Sequence, residues 1–250
     1  MIRGAAFLAS SSVSKPMTAA NSLDSVAVAD FNGDGKLDLA VPQRNSSFVS
    51  VLLGNGDGTF GPRSDLPTLN NPNIVVTGDF NNDGKTDIAL NGAFGGVSVL
   101  LGNGDGTFAA HKDSPSGGTQ STAIAPGDFN ADGKLDLAVA DPADGIVSVL
   151  LGNGDGTFTV QPPITVFPFR LAVGDFNNDG KPDIALTSNI ASQISVLLGN
   201  GNGTFGTPSN FATGLNPYFI IAKDFNGDGK TDLAVANLDG TLTILLNTGH

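Results

Sequence analysis

The sequence predicts an all-β fold, and three observations in its 250 residues carry that prediction. The first is a block that recurs five times: DFNGDGKLDLAV from Asp30, DFNNDGKTDIAL from Asp79, DFNADGKLDLAV from Asp128, DFNNDGKPDIAL from Asp175 and DFNGDGKTDLAV from Asp224. The intervals are 49, 49, 47 and 49 residues. A second block follows: FVSVLLGNGDGTF ending at Phe60, VSVLLGNGDGTF at Phe108 and Phe158, and ISVLLGNGNGTF at Phe205. The second observation is that the apolar runs are short, β-branched and bounded by Gly, Asn and Asp, which is how strands are written. The third is composition: all 24 acidic residues are Asp, beside 34 Gly and 14 Pro. Glu favours helix interiors, whereas Asp, Gly and Pro mark turns and caps.

Each unit reads as four strands. The first is the apolar run before the Asp block, such as Val26–Ala29 or 74–77. The second is LDLAV or TDIAL, the third VSVLL, and the fourth starts at GTF and fades into a Pro/Ser/Asn-rich loop. Several runs are apolar at consecutive positions, so both sheet faces should be covered. Four-stranded units of this period, stacked face to face, describe a β-propeller, here one domain over residues 1–250. A solenoid of β-arches usually has shorter repeats. The fifth copy, LTILLNTGH, stops before its GTF, while the chain opens on Ala5-Ala6-Phe7 and the run Leu8–Val13. The expectation is therefore a five-bladed ring in which the N-terminal strand completes the last blade and Phe7 takes the GTF position. An open array would leave exposed sheet edges.

Composition bounds the function. The formal net charge is −12, so a nucleic-acid binder that works by neutralising phosphates is excluded. There is no Cys, hence no disulfide framework, thiol nucleophile or Cys-ligated metal. No apolar run approaches the roughly 18 residues of a membrane span, and Ala5–Ala9 is too short for a signal-peptide core.

The Asp block has the form D-x-N-x-D-G-x-x-D. Its oxygen donors are Asp30, Asn32, Asp34 and Asp38, with the backbone carbonyl of Lys36. The further sets are Asp79, Asn81, Asp83, Lys85 and Asp87; Asp128, Asn130, Asp132, Lys134 and Asp136; Asp175, Asn177, Asp179, Lys181 and Asp183; and Asp224, Asn226, Asp228, Lys230 and Asp232. Side-chain oxygens at positions 1, 3 and 5, a Gly at 6 and a carbonyl at 7 form the front half of an EF-hand-like loop, and an acid at 9 lets it run straight into a strand. Hard oxygen donors in this number suit calcium better than magnesium or zinc. Carboxylates about 4 Å apart repel by roughly 4 kcal/mol per pair at an effective dielectric near 20, so three converging Asp call for a cation. One Ca²⁺ per repeat, five in all, is the expected cofactor. The alternative, a plain Asx-rich turn, does not account for five copies of one donor set.

These blocks, DFNGDGKxDLAV with LLGNGDGTF, resemble the FG-GAP/VCBS repeats of integrin α-subunit-type propellers over essentially the whole chain. That resemblance implies calcium in each loop and a role in adhesion or ligand binding outside the cell; some fungal lectins are similar in repeat and metal site. Integrin-type rings usually have seven blades, whereas five units fit here.

The remaining features read as scaffold. The GNGDG segments at Gly54–Gly58, Gly102–Gly106 and Gly152–Gly156 are followed by no helix, so they are hairpins rather than phosphate loops. His111 and His250 lack a nucleophile or acid partner and are expected at the surface; with no Ser–His or Cys–His pair, an enzyme is not expected. The Phe of each DFN and GTF should pack between blades, with Lys36 and its counterparts pointing into solvent. The calcium loops and hairpins share one face. The connections opposite, including 42–47, 91–96, 140–145, 109–122, 160–170 and 207–218, differ in every unit and carry Phe48, Phe94, Phe167, Phe169, Phe211 and Tyr218. A protein or glycan ligand is expected there, bound by a monomeric, secreted or surface-exposed calcium-binding module used in interaction or adhesion. A lectin with inter-blade or loop-face pockets is the alternative, weakened by a single Tyr and no Trp for stacking on sugars.

Overall fold

A computed structural model of the chain describes residues 25–188 and 190–249. The described residues form five antiparallel sheets, one per repeat, and contain no helix. In the first, β1 (Ala27–Ala29), β2 (Asp38–Gln43), β3 (Phe48–Leu52) and β4 (Ser64–Pro67) pair in chain order. The second repeats this with β5 (Pro72–Gly78), β6 (Asp87–Gly92), β7 (Gly96–Leu100) and β8 (Lys112–Ser114). In the third, β9 (Ala123–Gly127), β10 (Asp136–Asp141), β11 (Ile146–Gly152) and β12 (Phe158–Val160) are joined by β13 (Ile164–Thr165), which also pairs with β11. The fourth holds β14 (Leu171–Gly174), β15 (Asp183–Thr187), β16 (Gln193–Leu197) and β17 (Ser209–Ala212). The fifth has three strands among the described residues: β18 (Pro217–Lys223), β19 (Asp232–Asn237) and β20 (Leu242–Leu245). The expected fourth strand of that blade, around Phe7, lies outside the described residues, as does His250.

The outer strands depart from the sequence reading in a consistent way. Phe60, Phe108 and Phe205 each make a single bridge, to Gly54, Gly102 and Gly199, and the strand resumes four residues later. Pro62 and Pro208 lie in two of these gaps, where a residue without an N–H cannot extend the ladder. Only Phe158, followed by Thr159 and Val160, opens a continuous strand, which ends before Pro162-Pro163.

Consecutive apolar positions bury both faces because each sheet packs between two neighbours. Val49, Val51 and Ala40 of the first sheet meet Val75, Ile88, Leu90 and Leu100 of the second. Ala89, Val97 and Val99 on the other face of the second meet Leu137, Val139 and Leu150 of the third. The same relation joins the third to the fourth and the fourth to the fifth. Among the described residues the result is a propeller-like stack whose outermost faces are uncovered: Val26, Val28 and Leu37 on the first sheet, Phe219, Ile221, Leu242 and Ile244 on the fifth. This corrects one expectation about the DFN rings. Phe31, Phe80 and Phe129 are buried, but Phe225 is 43% exposed, since no described sheet follows it.

A hydroxyl ties the third strand to the fourth. Ser50 donates to Asp65, Ser98 to Asp113 and Ser195 to Asn210, at 2.6–2.7 Å. In the third sheet the corresponding outer position is Pro163, and the buried Ser148 hydroxyl has no partner. Replacing Ser50 with Ala should therefore cost about 1 kcal/mol, whereas Ser148→Ala should be neutral or stabilising. Thermal melts of the two variants check this; equal losses would show that the brace contributes nothing.

Candidate functional site

The five Asp loops share one backbone. Gly at position 6 holds φ between 77° and 82° (Gly35, Gly84, Gly133, Gly180 and Gly229), a left-handed turn that a side chain would disfavour. That turn aims backbone N–H groups inward. In every loop the position-6 N–H donates to Oδ2 of the first Asp at 2.7–2.9 Å. The position-5 N–H donates to the Asn Oδ1 at 2.9–3.2 Å. The Lys N–H donates to Oδ1 of the second Asp at 2.9–3.0 Å. This last bond holds the carboxyls of Asp34, Asp83, Asp132 and Asp179 below the ordinary carboxylate range. The Lys side chains do not simply face solvent: Lys36, Lys85, Lys134 and Lys181 each pair with that same Asp, at 3.1–3.6 Å.

The Asp at position 9 behaves differently. Asp38, Asp87, Asp136, Asp183 and Asp232 are fully buried. One oxygen of each accepts from the DFN Phe N–H at 2.7–3.0 Å. The other accepts, at 2.7–2.8 Å, from the N–H of Gly54, Gly102, Gly152, Gly199 or, in the last unit, Asn247. Burial pushes the Asp87, Asp136 and Asp183 carboxyls up, these two N–H donors pull them back, and nearby loop carboxylates push them further up. So loop and hairpin are latched together through one carboxylate. Sequence reading saw this residue as a fifth metal donor and missed the latch.

The oxygen donors of each loop have the chemistry of a hard-cation site. Among the described residues, however, no three Asp, Glu, His or Cys side chains form a ready metal-holding group. Positions 1, 3 and 5 are half-buried to exposed and turned onto the loop's own N–H groups, while position 9 already has both oxygens engaged.

On the opposite face the sequence-predicted aromatics separate into groups. Phe169 and Tyr218 come together, ring centroids 5.0 Å apart. Arg170, which sequence reading did not single out, lies 4.6 Å from the Phe169 ring and 5.7 Å from that of Tyr218. Its guanidinium donates to the Thr122 carbonyl, and the Thr122 hydroxyl to that of Phe169. Phe94, 71% exposed, stands beside Leu69, Asn70, Gly95, Asp113 and Pro115 in a groove of about 460 Å³. Phe167 and Phe211 are also exposed, and Phe48 is half-buried. His111 does have an acid partner, Asp113 at 2.9 Å, two residues along an extended segment. Asp113 takes the Ser98 hydroxyl on the same oxygen, so this is the strand brace with a His added.

Four overlapping windows, residues 30–90, 79–139, 128–186 and 175–235, match the model of the FG-GAP-like repeat. The chain belongs to the FG-GAP-like repeat family. No curated protein matches it in sequence. Among solved structures it is similar to an Agrocybe aegerita lectin recognising non-reducing terminal N-acetylglucosamine, with 23% identity and a TM-score of 0.63 over 89% of this chain. It is also similar to BBS1N, solved in complex with ARL6DN, with 15% identity and a TM-score of 0.63 over 90% of this chain. The chain spans 66% of the first structure's length and 65% of the second's. At these identities the likeness is one of fold.

Within this FG-GAP-like architecture the two kinds of Asp separate experimentally. Asp136→Ala removes two charge-assisted bonds and orphans two buried N–H groups, so it should cost about 3–5 kcal/mol, with or without divalent metal. Asp132→Ala, in an exposed loop, should cost under about 1 kcal/mol once chelator is present. Denaturant titrations in EGTA check both; equal losses would contradict the latch.

Proposed function

We propose that this FG-GAP-like chain is a calcium-stabilised propeller, closed into a ring, that serves outside the cell as an interaction or adhesion module of integrin α-like type. The observation that carries the reading is the fivefold recurrence of one oxygen-donor set on one loop backbone. In each loop Asp, Asn and Asp at positions 1, 3 and 5 and the Lys carbonyl would hold the ion, with the position-9 Asp behind them. A bound Ca²⁺ supplies charge neutralisation: five ions shift the formal charge from −12 to −2. The loops supply no Glu at position 12, and their affinity belongs to the roughly 10⁻⁴–10⁻³ M class of extracellular modules. Such sites fill outside the cell and stay empty in cytosol, which supports a secreted or cell-surface location. The protein acts as a monomer, without catalysis, membrane insertion or nucleic acid, and its protein or glycan ligand binds the variable-loop face.

A lectin is the second reading, favoured by the groove beside Phe94. There an exposed ring stands next to Asn70 and Asp113, the apolar-plus-polar surface a sugar needs. A glycan array in calcium separates the two. Binding that Phe94→Ala abolishes without lowering the melting temperature selects the lectin; a blank array, with binding to a protein partner, selects the adhesion module.

Metal removal tests the shared premise. At tenfold excess over its dissociation constant, calcium adds about 1.4 kcal/mol per site, or about 7 for five, comparable to the 5–15 kcal/mol of an ordinary domain. EGTA should therefore lower the melting temperature strongly, with reversal by calcium and poor reversal by magnesium. A melt indifferent to EGTA, with no ions retained by mass, would remove the calcium reading.

A further inference from the structure

We propose that Arg170 is a carboxylate-binding residue of the variable-loop face, and that its ligand is an acidic side chain, flanked by apolar residues, on a protein partner. The inference deepens the interaction-module reading above and rests on it for the choice of face.

Arg170 breaks the repeat. Five residues before the Asp block the other units carry Ser25, Ile74, Ala123 and Phe219, so the scaffold does not call for a cation at this position. It also lacks an acid. Lys36, Lys85, Lys134 and Lys181 each pair with an Asp of their own loop, and Arg63 pairs with Asp65. Among the described residues the Arg170 guanidinium makes no ion pair, in a chain with 24 Asp. Its one hydrogen bond runs from Nη1 to the Thr122 carbonyl. The side chain is half-buried, 4.6 Å from the Phe169 ring and 5.7 Å from that of Tyr218. Rings held against a guanidinium fix its plane and displace water from its faces. The Nε and Nη2 donors are left without a partner among the described residues, and a fixed edge of N–H groups is what a carboxylate fits.

The surroundings select the kind of acid. Three variable connections end here: 109–122 at Thr122, 160–170 at Arg170 and 207–218 at Tyr218. The innermost strands that follow or include these ends, β9, β14 and β18, lie side by side. Phe167 holds a φ of 49° directly before Pro168, a left-handed conformation that a bulky residue adopts only under constraint. Its N–H is tied to the Gly145 carbonyl at 3.1 Å, yet the ring is 52% exposed. A strained backbone that presents an apolar ring to solvent marks a surface shaped for contact. Leu215, 60% exposed, extends that surface. One guanidinium matches one negative charge, so a carboxylate fits better than a phosphate dianion. An apolar rim favours a peptide over a sugar, whose hydroxyls each need a polar partner. The chain's own acids lie mostly on the opposite face, fifteen Asp in the loops and three in the GNGDG hairpins.

Tyr218 is the only Tyr and there is no Trp, so intrinsic tyrosine emission reads this site alone. The full-length protein in calcium is titrated with the capped tripeptide acetyl-Leu-Asp-Phe-amide, its Asn analogue and glucuronate. The Asp peptide should change the emission saturably, and the Asn analogue should bind at least about tenfold more weakly. Arg170→Gln keeps the aliphatic stem and a donor for the Thr122 carbonyl. It should weaken the Asp peptide to the level of the Asn analogue and leave the melting temperature unchanged. Equal binding of the two peptides, an Arg170→Gln protein that binds like the parent, or saturation by glucuronate alone would overturn the proposal. If Arg170→Gln fails to fold, the two peptides on the parent protein decide. The two readings fail separately. A protein partner that binds the variable-loop face without moving Tyr218 emission overturns this site and leaves the interaction module standing. An Asp-selective response in a chain whose melt ignores EGTA upholds the site and removes only the calcium scaffold.

Discussion

One buried carboxylate per unit organises this fold. The position-9 Asp begins the second strand, faces no water, and still accepts two short bonds from backbone N–H groups on either side. An ionised group so placed is tolerated only when its oxygens are engaged, and cutting either bond would leave an orphan donor. The latch also dictates its surroundings. At Gly54, Gly102, Gly152 and Gly199 an added Cβ would fall 2.2–2.3 Å from a backbone carbonyl of the loop. Only glycine lets the hairpin come near enough to donate. Asp and Gly, sixteen or fifteen residues apart in sequence, therefore behave as one structural element.

From each latch the order passes to the next sheet. The DFN Phe whose N–H meets the Asp uses its carbonyl for the following unit's hairpin and its ring for that unit's GTF Phe. The first three junctions thus each combine one backbone bond, one aromatic contact and one layer of Val, Ile and Leu; at the fourth, the Phe176 carbonyl accepts from the Asn247 side-chain amide instead. Stability in such a stack is close to a sum over neighbours, and among the described residues the first and fifth sheets each meet one neighbour rather than two. Phe225 and Ile221 lie on the fifth sheet's open face and Val28 on the first's, all at least 43% exposed. The variable connections sit outside this chain of dependence, which leaves them free to carry unit-specific chemistry without loosening the scaffold.

Much of this was legible in the residues. Short β-branched runs, Gly-Asn-Asp boundaries and the near-constant 49-residue spacing gave strand number, order and pairing for three of the five sheets; the third carries the extra β13, and the fifth has three strands among the described residues. What escaped was interaction between residues far apart in sequence. A DGxxD string says that oxygens are near a turn; it does not say that the last Asp is buried against a glycine fifteen or sixteen residues later. Nor could Arg170 be singled out, because its partners Thr122 and Tyr218 come from two other units. His111 and Asp113 were two residues apart and still unpaired in the reading, since the contact depends on both pointing to one side of an extended segment. The outer strands failed locally: Pro62 and Pro208 interrupt runs that periodicity alone treats as continuous.

On the proposed reading, the same geometry would let one motif serve structure and ion together. Position 5 is exposed and positions 1 and 3 are half-buried in most loops, and their present partners are the loop's own N–H groups and a Lys ammonium, each of which water could replace at little cost. Position 9 has no such freedom. A cation entering the loop would compete with the Lys for the second Asp and leave the latch bonds in place. Its Coulomb benefit would still reach the buried carboxylate, whose proton affinity is raised first by burial and further by Asp79 and Asp83 in the second unit and by their counterparts in the third and fourth. On the proposed reading, calcium therefore stabilises the fold by relieving repulsion around a carboxylate that the hairpin has already fixed. On that reading metal affinity and sheet stacking would be coupled through that residue even though the ion would sit at the surface.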